Sequence, residues 1–166
     1  AGADIREINC VRKHLSGLKG GRLARTAHPA KVVTLAISDV PGDDPADIAS
    51  GPTLPDATSQ RDALAILTRY RYQRLPELEP VLGDPSYETP KPGDPAFAAD
   101  AVQVIASAAT ALDAAERYLR EQGYTVLQLG DDLDGEAAAL GREHARLAME
   151  TGKPGGRVAI LSGGET

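Results

Sequence analysis

The chain has 166 residues, 42% hydrophobic and 25% charged, which suits one soluble globular unit able to bury roughly two thirds of its unfolded surface without a metal or disulfide staple. A single cysteine, Cys10, excludes an internal disulfide and fits a reducing cytoplasm, and no apolar run approaches the roughly 18 residues of a membrane span, so a cytoplasmic protein with no membrane partner is expected. The net charge of −6 splits into +5 over residues 1–31 and −11 over residues 32–166, with only 4% aromatics, which argues against a nucleic-acid partner and favours a small anionic ligand.

From Ile5, the apolar positions Ile5, Ile8, Val11, Leu15 and Leu18 recur at helical spacing and gather Asn9, Arg12, Lys13 and Ser16 on the other side, facing outward or into a cleft. Gly20 and Gly21 break this pattern before a second short helix, whose first amides, with Lys19 beside them, are placed to receive an anion. Residues 32–37 are apolar without alternation, which predicts a strand buried on both faces of a parallel sheet. At its carboxyl end lies SDVPGDDPADIASGPT, residues 38–53. Its Asp39, Asp43 and Asp44 offer hard oxygen ligands for magnesium or for orienting a hydroxyl, and helix capping explains them as well. Ser50, Gly51 and Thr53 offer a backbone amide and hydroxyls in a turn.

Ser59 and Asp62 form a capping box before a helix with Ala63, Leu64, Leu67 and Tyr70 on its apolar face. Residues 75–96, rich in proline, read as an irregular connection. Beyond them the order is strand 102–106, a helix capped by Thr110 with Asp113, strand 125–129, helix 135–150 capped by Asp134, and strand 158–161. This β-α-β-α-β order predicts an α/β fold, a parallel, Rossmann-like sheet with helices on both faces. We expect residues 1–95 to be the carboxyl-terminal part of a first α/β domain, and residues 96–166 to start a second.

Each strand is followed by small or acidic residues: Ser38-Asp39, Ser107, Gly130-Asp131-Asp132 and Ser162-Gly163-Gly164-Glu165. Ligands of open α/β sheets gather beyond the carboxyl ends of strands, so these clusters share one crevice if their strands lie side by side. His14, His28 and His144 are poorly spaced for a metal cage, and Cys10 has no histidine placed to activate it.

The segments NCVRKHLSGLKGGRLA, SDVPGDDPADIASGPT and LSGGET, in this order, resemble the two-domain glycerate kinases that make 2-phosphoglycerate, some members of which are labelled hydroxypyruvate reductase. The resemblance runs from about Ala1 to Thr166. It implies phosphoryl transfer from ATP to D-glycerate, with Mg2+, in a cleft between two α/β domains; a homodimer is a possible assembly. Asn9, Arg12, Lys13, Lys19, Gly20 and Gly21 match the basic segment and are implied to bind glycerate or phosphate. Ser38, Asp39, Asp43, Asp44, Ser50, Gly51 and Thr53 match the acidic loop, and Ser162, Gly163, Gly164, Glu165 and Thr166 the second glycine motif. Lys13 is the expected charge-stabilising catalytic residue and Asp39 the expected metal-binding or hydroxyl-orienting one, with Asp43 as a further metal ligand. The family's amino-terminal Gly-Lys segment, its Ser-Gly-Gly-Gly segment and its carboxyl-terminal Gly-Arg-Gly-Gly-Arg-Asn segment have no counterpart in these 166 residues, so the chain is expected to be an internal fragment, inactive alone. Two other readings stay open: an NAD(P)-dependent hydroxypyruvate reductase, for which no G-x-G-x-x-G turn is present, and a non-catalytic small-anion-binding module.

Overall fold

The computed structural model describes residues 2–40, 42–152 and 155–165, apart from the side chain of Glu165. The chain divides into two units, one of residues 1–36 with 44–104, the other of residues 37–43 with 105–166. The division therefore cuts the acidic loop in two.

In the first unit, helix α1 (Ile5–His14) opens on a capping box between Asp4 and Glu7 and is followed by α2 (Arg22–Ala27). Helix α3 (Gln60–Arg69) starts at the expected box of Ser59 and Asp62. Its Ala63 and Leu67 meet Cys10 of α1 and Leu82 of α4 (Leu75–Leu82) in the core, with Val11, Leu64 and Ile66 packed around them. The polar side of α1, expected outward or in a cleft, is divided between the two: Asn9 and Lys13 are buried, with His14 beside them, and Arg12 is exposed, while Ile5, Leu15 and Leu18 are 41–60% exposed. Periodicity shows which residues share a face, but partners elsewhere in the chain decide which face is covered. Residues 75–82 form a helix because Pro76 lies in its first turn, where a missing N–H costs nothing, and the irregular connection shrinks to the segment after Leu82.

Strand β1 (Val33–Ile37) pairs with β2 (Ala101–Ala106). Val32 O accepts from Ala101 N, and Ser38 N donates to Ala106 O; the two strands thus run in the same direction. Burial on both faces is not observed for β1, since Val33, Leu35 and Ile37 are 61–69% exposed.

In the second unit, α5 (Ala108–Glu121) packs on β3 (Thr125–Gln128) and on β5 (Val158–Leu161), and α6 (Ala137–Thr151) packs on β5. Strands β3 and β5 are parallel with Thr125 opposite Val158, and β4 (Leu133–Asp134) is parallel to β6 (Gly164–Glu165). The architecture is α/β with small parallel sheets, as the alternating pattern predicts. The caps lie elsewhere than expected. Ser107 caps α5 through a box with Thr110, and Glu136 caps α6 by accepting from the amides of Ala138 and Ala139. Asp134 belongs to β4. No helix among the described residues is long and apolar enough to cross a membrane.

Candidate functional site

In the first unit the basic segment is bound to the second half of the acidic loop. Asn9 Oδ1 accepts from Arg12 Nη1 at 3.2 Å and from Ser50 Oγ at 2.9 Å, and Arg12 Nη1 also reaches Ser50 Oγ at 3.3 Å. Lys13 Nζ lies 3.5 Å from Asp56 Oδ1 and 3.8 Å from Asp47 Oδ1, with Lys13 and Asp56 both buried. Lys19 Nζ donates to Ala49 O at 2.7 Å. The anion pocket expected at Gly20 and Gly21 is not formed, because their amides donate to the carbonyls of Ser50 and Gly51 at 3.1 and 2.8 Å. Arg12, by contrast, is an exposed residue.

The loop side of this contact is conformationally costly. Ala49, Ser50 and Gly51 have consecutive positive φ values of 53°, 61° and 54°, and each non-glycine left-handed residue costs about 1–2 kcal/mol. Such strain persists only where neighbours impose it, here through the hydrogen bonds to Asn9, Arg12, Lys19 and Gly20. Gly51 packs so close to Ala46 that a Cβ would stand 2.6 Å from its carbonyl oxygen. Asp44 Oδ1 accepts from Ala46 N, and Thr53 Oγ1 accepts from Thr34 Oγ1, so both order the loop locally.

Behind Lys13, His14 Nε2 lies 2.9 Å from Glu88 Oε1, and Thr89 Oγ1 donates to Asp56 Oδ2 at 3.2 Å. Burial alone would raise the Glu88 carboxyl, but hydrogen bonds from Lys91, from the amides of Gln60 and Thr89 and from His14 outweigh it and bring it down to about 2. A carboxyl depressed in the folded state stabilises it above the unfolded value of 4.5, and that stability is lost as pH falls toward about 2. The urea midpoint is therefore expected to drop across this window, and Glu88→Gln to flatten the drop. Burial pushes the Cys10 thiol up, which keeps it protonated and unreactive.

The second unit holds the other half of the loop. A cavity of about 390 Å³ is lined by Ser38, Asp39, Asp43, Ser107, Asp131 and Gly164, among others. All four strand-end clusters named from the sequence thus meet in one place. The amino terminus of α5 opens into it through Ser107 and Ala108. Gly163 N donates to Gly130 O at 2.9 Å, and Leu133 N to Gly163 O at 3.2 Å, so Ser162, Gly163 and Gly164 run against residues 130–133. The Gly163 amide is consequently engaged within the protein. A Cβ on Gly164, at φ 133°, would stand 1.9 Å from Leu133 O; Gly164→Ala is expected to cost about 1–3 kcal/mol, read as a lowered thermal midpoint. Glu165 is described by its backbone alone, and Thr166 lies outside the described residues.

Among the described residues no three His, Cys, Asp or Glu side chains stand together as a ready metal cage. Asp39, Asp43 and Asp131 share the cavity nonetheless, and Mg2+ ordinarily takes only one or two carboxylates, its other ligands being waters and phosphate oxygens. The donor set fits a magnesium ion that arrives with a phosphate ligand. Sequence reasoning marked Ser107 and Asp131 only as strand ends, and did not connect Asp56 or Glu88 with the site. The signals were an acid directly after SGPTLP and another in ETPK, each facing a basic residue of α1.

Residues 1–81 match the family model described as a domain of unknown function, DUF4147. Over its whole length the chain is 49% identical to an Agrobacterium vitis protein provisionally named a hydroxypyruvate reductase, and 37% identical to the D-glycerate 2-kinase of Thermotoga maritima. Over 89% of its length it is 39% identical to human glycerate kinase. The crystal structure of the Thermotoga maritima glycerate kinase superposes on 99% of the chain with a TM-score of 0.80 at 37% identity. The chain spans between 28% and 39% of the length of these relatives. The matched residues include α1, the acidic loop, Asp56 and α3.

Proposed function

We propose that the protein to which this chain belongs transfers a phosphoryl group from ATP to D-glycerate, giving 2-phosphoglycerate, with Mg2+. The observation that carries the reading is the cavity that combines the carboxylates of Asp39, Asp43 and Asp131 with the amino terminus of α5. Carboxylates alone favour a cation, and a helix amino terminus alone favours an anion. A magnesium-bound phosphate satisfies both at once. The glycerate kinases among the relatives supply the substrate class.

In this reading Asp39 and Asp43 would hold the metal, which when bound would supply charge neutralisation on the nucleotide phosphates. Asp39 also orients the attacking hydroxyl, and the first amides of α5 fix a phosphate oxygen. Arg12, an exposed residue held by Asn9 and Ser50, supplies positive charge to a carboxylate or phosphate. Lys13 is buried on Asp56 and Asp47, which supports an ordering role through Asp47 in place of direct contact with a phosphate.

The test uses a chain of the relatives' full length, incubated with ATP, Mg2+ and D-glycerate. Formation of 2-phosphoglycerate is expected. The name of the Agrobacterium vitis relative favours a second reading, and oxidation of NADH or NADPH by hydroxypyruvate, without glycerate phosphorylation, would replace the first with it.

A further inference from the structure

The first unit carries a group of ionisable side chains that the proposed chemistry does not use. His14, 1% exposed, sits at the end of α1 and makes contacts with both ring nitrogens. Nδ1 lies 2.9 Å from Cys10 O, and Nε2 lies 2.9 Å from Glu88 Oε1 and 3.8 Å from Asp56 Oδ2. A backbone carbonyl only accepts, so Nδ1 carries a proton. An ionised carboxylate also only accepts, and the hydrogen bonds to Glu88 hold it ionised. Nε2 must then carry a proton as well. A bare Nε2 would set a lone pair against the Glu88 oxygen inside the protein.

From these contacts we infer that His14 stands in the fold as an imidazolium, a buried cation that clasps the end of α1 to the segment carrying Glu88 and to Asp56. Charge balance agrees. Lys13, His14 and Lys91 face Asp47, Asp56 and Glu88, three cations against three anions, whereas a neutral ring would leave one carboxylate uncompensated in a mostly buried cluster. The other groups toward the ring are the Thr89 hydroxyl at 3.3 Å and, farther off on α3, Asp62. The Thr89 hydroxyl is free to donate to Asp56 Oδ2, so Nε2 does not need it as a donor. By holding the last turn of α1, His14 acts as a positioning residue for Asn9, Arg12 and Lys13, which lie within about a turn and a half of it.

The experiment is nitrogen NMR of the chain labelled with 15N-histidine at neutral pH. His14 is expected to show two protonated ring nitrogens, both slow to exchange with solvent. A single protonated nitrogen with a bare Nε2 would overturn the inference. In Glu88→Gln the counter-ion is lost, and one proton is expected to leave, giving the neutral ring with Nδ1–H on Cys10 O. If both protons stayed in that variant, the assignment of Glu88 as the clasp's anion would fall. Should Glu88→Gln not fold, the wild-type spectrum decides alone. The outcome does not depend on glycerate phosphorylation, so its failure and that of the proposed function are distinguishable.

Discussion

Lys13→Met is expected to destabilise the first unit by about 3–5 kcal/mol, the usual consequence of removing one partner of a buried ion pair. The aliphatic stem is retained, so the loss isolates the ammonium. Asp56, 1% exposed, would remain as a buried carboxylate without its lysine partner, and Asp47 would lose one of the contacts that tie the loop to α1. Urea denaturation measures the effect. The double variant Lys13→Met with Asp56→Asn should lose less than the sum of the two single changes, because the second substitution removes the charge that the first strands. A loss below about 1 kcal/mol in the single variant would mean that water reaches the pair and the burial is not maintained.

The second large effect concerns rate. In the full-length protein Asp39→Asn is expected to lower the turnover of ATP and glycerate by about 10²–10³-fold, the range found when one preorganised electrostatic contact to a transition state is removed. Asp39 is exposed and lines the cavity of the second unit, so its unfolding midpoint should hardly move. That contrast separates it from Lys13, whose substitution acts first on stability. Equal turnover in Asp39→Asn and wild type would remove Asp39 from the mechanism and leave Asp43 and Asp131 to hold the metal.

The sequence discloses much of this arrangement where a local rule has no competitor. Ser59 with Asp62 before an apolar helix face reads unambiguously as a helix start, and strand 158–161 stands between turn residues on both sides. The meeting of Ser38, Ser107, Asp131 and Gly164 follows from a general property of parallel sheets and needs no contact data to anticipate. Where several rules compete, the reading slips. Ser107, Thr110 and Asp113 are all sound caps within two turns, and the structure uses the first. Likewise, α1 has an apolar stripe and a polar stripe of equal regularity, and only Ser50, Asp56 and Glu88, between 41 and 74 residues away in sequence, turn part of the polar one inward. No local pattern holds that information. For β1 the apolar run correctly predicts a strand, but Val33, Leu35 and Ile37 stay exposed, so no layer among the described residues covers that face.

The passage of the chain from the first unit to the second at residue 37, and back at residue 44, has a bearing on how the protein can be dissected. No single cleavage yields both units whole. A polypeptide starting at residue 105 would keep α5, α6 and Asp131 but forfeit Ser38, Asp39 and Asp43, and so two of the three cavity carboxylates. Supplying residues 37–43 as a separate peptide, or joining them ahead of residue 105 through a linker that replaces residues 44–104, would be the way to obtain that unit alone with its complement of acids.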